Sequence, residues 1–204
     1  MKKYKNIIFD MGAVLVNWNP KEFVKDIFKD QKDFHETNWV KLLGLETIIK
    51  LEKGLLNFSQ VINSIKEEEL KYNVKKFFKE LPKYLHPIKD GLEIFNSVKK
   101  LNYKTYILSN FEEELLKASS KQHNYNQFLN KFDGIVFSCD VKSRKPEPKI
   151  YHTLLNDYNL NAQESFFIDD MPENIEGAKK LGIDGVVCKN HDIVLQTLKD
   201  LKIL

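Results

Sequence analysis

The chain has 204 residues, 42% hydrophobic and 30% charged, with a formal net charge of +3. That describes one domain, or one domain with a substantial insertion, able to bury a core without staples, and the small charge is too dispersed to call for nucleic acid or a membrane surface. Cys139 and Cys188 are the only cysteines and neither has a CxxC partner, which excludes a disulfide framework or zinc site and fits a reducing cytoplasm.

Residues 4–9 read as a buried strand. The run is too short, and meets Asp10 too soon, to be a signal sequence, and no stretch approaches the ~20 apolar residues of a membrane span. Asn17-Trp18-Asn19-Pro20 is a turn, with Asn19 a helix cap and Pro20 suited to a first helical turn. From there to Pro87 the apolar spacing is helical: Phe23, Ile27 and Phe28; Val40, Leu42 and Leu43; Phe58, Val61, Ile62 and Ile65; Val74, Phe77, Phe78 and Leu81. Four or five short helices forming a bundle are expected.

After Pro87 strands and helices alternate. Helices are expected over 91–101, 112–122, 146–158, 172–181 and 192–201, and strands over 103–108, 132–137, 165–168 and 185–188. Glu112, Glu113 and Glu114 would sit in one first turn, at the positive end of a helix dipole, and Gly182 closes its helix. Alternation of this kind means a parallel sheet covered on both faces. The expected fold is α/β: a three-layer Rossmann-like parallel sheet core, residues 1–15 and 88–204, with an α-helical cap, residues 16–87, inserted after the first strand.

Ligands of open α/β sheets bind outside the carboxyl ends of the strands. Three strands end there in polar residues: Asp10, Ser109-Asn110 and Asp169-Asp170. The loop Ser143-Arg144-Lys145-Pro146 is a fourth group. Ser109 and Asn110 equally suit a helix cap. Adjacent carboxylates at a buried strand end repel each other unless a cation holds them. Lys145 near a helix N-terminus opposes the dipole unless an anion binds there. Together they supply a nucleophile, hydroxyl and amide donors, a cation and hard oxygen ligands of the kind Mg²⁺ takes.

Phe9-Asp10-Met11-Gly12, Ser109-Asn110, Lys145-Pro146 and Asp169-Asp170-Met171-Pro172-Glu173-Asn174, in that order, resemble the four motifs of the haloacid dehalogenase-like hydrolase superfamily. The helical segment between the first two resembles the branch with a C1-type helical cap. Leu51-Glu52-Lys53-Gly54 and the stretch around Asp169-Asp170 are similar to the α-D-glucose-1-phosphatase-like group. The resemblance implies a phosphatase of small phosphorylated metabolites, with sugar phosphates such as glucose 1-phosphate among the candidates. It implies that Asp10 attacks phosphorus. Asp10, the Gly12 backbone carbonyl, Asp169 and Asp170 would bind Mg²⁺, and Asn174 would orient the acidic pair. Ser109, Asn110 and Lys145 would hold the phosphate, with Lys145 taking part in catalysis. A monomer or homodimer is expected.

Most phosphatases of this superfamily carry an acid–base aspartate where this chain has Gly12. Two other readings therefore stay open: a catalytically weak or inactive phosphate-binding or regulatory protein, and a 2-haloacid dehalogenase, which also lacks that aspartate but needs no acidic pair. His35, His86, His123, His152 and His191 show no ligand spacing and read as structural. Trp18 is expected to be buried against the helical segment, and Glu52 to pair with a nearby lysine.

Overall fold

The computed structural model describes residues 3–30, 39–123 and 125–204. Five strands form one parallel sheet: β1 Asn6–Phe9, β2 Lys104–Ser109, β3 Gly134–Phe137, β4 Ser165–Asp169 and β5 Asp184–Val187, in the order β3-β2-β1-β4-β5. β1 is central. Asn6 pairs with Lys104 on one side and Ser165 on the other. Successive side chains of a strand point to opposite faces, and this divides the core in two. Ile7, Phe9, Ile107, Phe166 and Ile168 belong to one apolar cluster. Ile8, Tyr106, Leu108, Val136 and Phe167 belong to the other, with Ile150, Leu154 and Ile175. Helices cover both faces, which makes the three-layer Rossmann-like α/β fold expected from the alternation.

Between β1 and β2 lie α1 Pro20–Ile27, α2 Trp39–Leu43, α3 Leu45–Glu52, α4 Phe58–Ser64, α5 Glu68–Glu80, a 3-10 turn at Leu81–Tyr84 and α6 Lys89–Lys100. Asn19 caps α1 by accepting from the Glu22 N–H, and Pro20 opens it. Asn57 and Gln60 form a reciprocal capping box on α4. Val74, Phe77 and Phe78 are the buried face of α5, and Phe78 stacks on Phe58 at 3.8 Å between ring centres. The segment leaves and rejoins the sheet at one place. Val16 bridges Pro87, Asn17 N–H donates to His86 O, and Ile88 N–H donates to Leu15 O. Gly91 is required beside this junction, because a Cβ there would lie 2.1 Å from Val14 O.

The rest of the chain carries α7 Glu113–His123, α8 Tyr125–Leu129, α9 Ser138–Val141, α10 Pro148–Asp157, α11 Pro172–Lys180 and α12 His191–Asp200. Two expectations need correction. Pro148, not Pro146, opens α10, so Lys145 and Pro146 lie in the loop before it. Glu112 precedes α7 instead of standing in its first turn, and its side chain is buried. Glu113 and Glu114 are the first-turn acids; Glu113 pairs with Lys117 one turn on, and Glu114 accepts the Phe58 N–H. The short helices α8 and α9 add to the expected set.

Candidate active site

β1 ends one residue before Asp10, whose N–H continues the ladder to Ile168 O at 2.9 Å. Asp10 is therefore fixed by backbone bonds at the mouth of the sheet. β2 delivers Ser109 and β4 delivers Asp169 to the same edge. Asp10, Ser109, Lys145 and Asp169 are all buried. Buried charges need partners, and here they have them. Lys145, 1% exposed, puts Nζ 2.7 Å from Asp10 Oδ1 and 2.6 Å from Asp169 Oδ2. Burial alone would lower the Lys145 pKa, but Asp10 and Asp169 outweigh it and hold it raised.

Asp169 is saturated. Oδ1 accepts from Met171 N–H at 2.8 Å and Asn174 Nδ2 at 2.9 Å, and Oδ2 accepts from Asn174 Nδ2 at 3.1 Å as well as Lys145. Asn174 is itself fixed, since its carbonyl accepts from the buried Tyr151 hydroxyl. Asp170 is different. Among the described residues no side chain donates to it, and its pKa is raised, first by burial and then by the charges of Asp10 and Asp169. Asp10 is also pushed upward, mainly by burial; Lys145 opposes that and Asp169 adds to it, while nearby Ser109 also favours the charged form.

One ligand oxygen from each of Asp10, Asp169 and Asp170 falls within 4.8 Å of the others. Three carboxylates with one lysine leave an excess of negative charge, and the raised Asp10 and Asp170 pKa values express it. A hard divalent cation would relieve it, and an all-carboxylate set suits such an ion. Asp10 and Asp170 are the open ligands. Asp169 joins them only by releasing a donor it already holds. Gly12 lines the same cavity.

Asn110 is brought to the site, but its side chain faces Lys145. Its Oδ1 accepts the Lys145 N–H at 2.8 Å and its Nδ2 donates to Lys145 O at 3.1 Å. That clamp holds the lysine's backbone and leaves the Asn110 amide little to give a ligand. Trp18 stands against Gly12; a Cβ on Gly12 would lie 3.4 Å from Trp18 Cβ and Cγ. The indole is half-buried, packs edge-on against Phe23 and lines the cavity.

The cavity above Asp10 has a volume of about 420 Å³, within the usual range for small-molecule sites. Its far end, toward α3, is lined by Glu52 and Arg144, whose pairing sequence reasoning did not anticipate. Glu52 pairs with Arg144, not with a lysine. Ser138 Oγ donates to Glu52 O and accepts from Phe111 N–H. Lys142 Nζ donates to Gly54 O at 3.0 Å. These contacts rest the end of α3 on α9 and the loop after β3. Glu112 lines the same end. Charge at one strand end is legible in a sequence; a contact between residues as far apart as Glu52 and Arg144 is not. Of the histidines, His191 meets Val14 O at 2.8 Å, and His86 and His152 are exposed. His35 and the side chain of His123 lie outside the described residues.

Among the described residues no helix is long and apolar enough to cross a membrane. A sesquiterpene phosphatase of Aspergillus oryzae is 25% identical over 185 residues, covering 90% of this chain and 89% of that protein. A D-ribitol-5-phosphate phosphatase of Bacteroides thetaiotaomicron is 25% identical over 191 residues, 88% of this chain and 89% of that one. Among solved structures, the magnesium complex of a haloacid dehalogenase (HAD) family enzyme from Bacteroides thetaiotaomicron superposes with a TM-score of 0.70 at 26% identity, covering 91% of this chain and 93% of that one. The model of the haloacid dehalogenase-like hydrolase family matches residues 7–188. With that match spanning β1 to the end of β5, and with Asp10, Ser109, Lys145 and Asp169 gathered at one sheet edge, the chain belongs to the haloacid dehalogenase-like hydrolase family.

Proposed function

We propose that this hydrolase is a magnesium-dependent phosphatase of small phosphorylated metabolites, acting through a phosphoryl group carried on Asp10. One observation carries the reading: a buried strand-end aspartate sits between a lysine already paired to it and an open carboxylate, Asp170. Relatives named as phosphatases, and the magnesium complex of a structural neighbour, support it.

Asp10, Asp170 and the Gly12 carbonyl would hold Mg²⁺, with Asp169 adjoining. The ion supplies positive charge to a phosphate oxygen and to the carboxylates around it. An Asp10 carboxylate oxygen attacks phosphorus in line with the ester oxygen. The new O–P bond forms as the ester O–P bond breaks, and the leaving oxygen keeps the electron pair and takes a proton. Water then attacks the phosphoryl group, which restores the Asp10 carboxylate and releases phosphate. Lys145 spans Asp10 and Asp169, so its charge sits where phosphate oxygens gain negative charge. Ser109 and the backbone N–H of Asn110 complete the phosphate cradle, and Asn174 keeps Asp169 turned toward Lys145. Gly12 offers no proton, so the leaving oxygen draws on water; this favours phosphates whose leaving group needs little protonation, such as anomeric sugar phosphates. Residues 16–87 would act as a cap that excludes water during the first transfer, over a core of residues 1–15 and 88–204.

The test is release of phosphate from an aryl phosphate and a panel of sugar and polyol phosphates, with Mg²⁺ and with chelator. Release with Mg²⁺ and its loss in chelator are expected. No release from any substrate favours the second reading, phosphate binding without turnover, for which Gly12 is the specific observation.

A further inference from the structure

Glu112 is the buried acid for which the phosphoryl chemistry has no use. It is 6% exposed, lines the cavity above Asp10 and follows Phe111, whose N–H is held by Ser138. Among the described residues no basic side chain approaches its carboxyl. The charge that bears on it is that of Glu52, and only its own backbone N–H favours the ionised form. Burial first, and Glu52 second, push its pKa up to about 8. At neutral pH it presents an O–H donor and a carbonyl acceptor to the cavity.

The charges at this end otherwise cancel. Glu52 and Arg144 are paired. Lys145, the other cation lining the cavity among the described residues, is shared between Asp10 and Asp169. The remaining wall is largely apolar, with Leu45, Ile48 and Phe111 among its members. Glu52 of α3 lines the same cavity as Glu112 and its charge bears on it, which sets this part of the wall beside the helical segment, where the alcohol portion of a phosphate ester would lie.

We infer that Glu112 is a specificity-determining residue that hydrogen-bonds the leaving group, and that this end of the cavity takes an uncharged, hydroxyl-bearing alcohol such as a polyol or sugar and rejects one carrying a carboxylate or second phosphate. A second anion would lose its water against Glu112 and Glu52 with, among the described residues that line the cavity, no unpaired cation to receive it. A hydroxyl finds a partner that both donates and accepts, while its C–H faces lie on the apolar wall. A site built to bond a hydroxyl discriminates strongly, because its polar group is left unpaired by a ligand that lacks one.

The inference rests on the phosphatase reading for the position of the phosphate, so binding and turnover are measured separately. The Asp10→Asn chain with Mg²⁺ is titrated calorimetrically with ribitol 5-phosphate, 3-phosphoglycerate and inorganic phosphate. The titrations are repeated with Glu112→Leu or Glu112→Gln added. Ribitol 5-phosphate is expected to bind at least about tenfold tighter than 3-phosphoglycerate, and Glu112→Leu to erase about tenfold of its affinity. Glu112→Gln, which keeps a donor and an acceptor, should stay within about threefold. Equal affinity for the carboxylated ester overturns the inference, as does a folded Glu112→Leu chain that binds the polyol ester unchanged. The ligand order with Glu112 in place decides the matter if a variant does not fold. The expected order without hydrolysis by the Asp10 chain would sink the phosphatase reading alone; hydrolysis with the reverse order would sink this inference alone.

Discussion

The two ends of the cavity are built by different means. At the phosphate end every group stands on a strand end or is clamped to one. Asp10 continues the β1 ladder, Asp169 closes β4, and Asn110 grips the Lys145 backbone. At the far end Glu52 and Gly54 belong to a helix terminus resting on a loop, held by Ser138, Arg144 and Lys142. The first arrangement fixes charges where a reaction needs them. The second holds a wall that can change without disturbing them. On the reading proposed above, chemistry and selection rest on two kinds of support.

The separation can be broken at several points. Asp10→Asn should lower hydrolysis of every phosphate ester by at least about 10³-fold while the fold persists, read by phosphate release and circular dichroism. Lys145→Met leaves two buried carboxylates without their cation. A broken buried pair costs about 3–5 kcal/mol, so a marked fall in the denaturant midpoint is expected; an unchanged midpoint would mean the ion pair is not structural. Gly54→Ala acts only at the far end. Gly54 has φ +59°, and an added Cβ would lie 2.8 Å from Cys139 O. About 1–3 kcal/mol of strain is expected there, appearing as a raised KM more than a lowered kcat.

Gly12→Asp restores an acid at the phosphate end. The added Cβ would meet Trp18 at 3.4 Å, an ordinary contact. Turnover of alkyl phosphates should rise about tenfold against aryl phosphates, below the ~10²–10⁴-fold that a well-placed acid–base group supplies. Stability should also depend on pH. Glu112 has its folded pKa pushed up from 4.5 to about 8. The folded state therefore holds a proton that the unfolded state loses above pH 4.5, and stability conferred by the neutral acid falls as pH rises toward 8. The slope is at most about 1.4 kcal/mol per pH unit. Glu112→Gln should flatten it, measured as denaturant stability from pH 5 to pH 9.

The sheet and its strand-end residues were legible because burial on both faces dictates an apolar run, and a carboxylate can follow such a run only at the strand's open end. Asp10, Ser109, Lys145, Asp169 and Asp170 meet in the structure as their positions at the strand ends and in the following loop required. The far end was not legible. The run Glu112-Glu113-Glu114 looks uniform in sequence, yet Glu112 is buried while Glu113 pairs with Lys117 and Glu114 holds the Phe58 N–H. Local spacing could not distinguish them, because only the packing of the Phe111 loop against Ser138 does. The same holds for Asn110, whose partner is the backbone of a residue 35 positions later. Pro146 misled for a local reason: a proline suits the start of a helix, and Pro148 suits it equally.

The central position of β1 has a consequence for how the protein is made. Ile7, Ile8 and Phe9 are made well before their ladder partners, which begin at Thr105 and end at Ile168. The strand that bears Asp10 has no neighbour close in sequence to shelter it. A chain halted before β4 carries an apolar edge and no complete site, so truncated products should aggregate instead of retaining a fraction of activity. Folding and competence arrive together, with the last segments of the sheet.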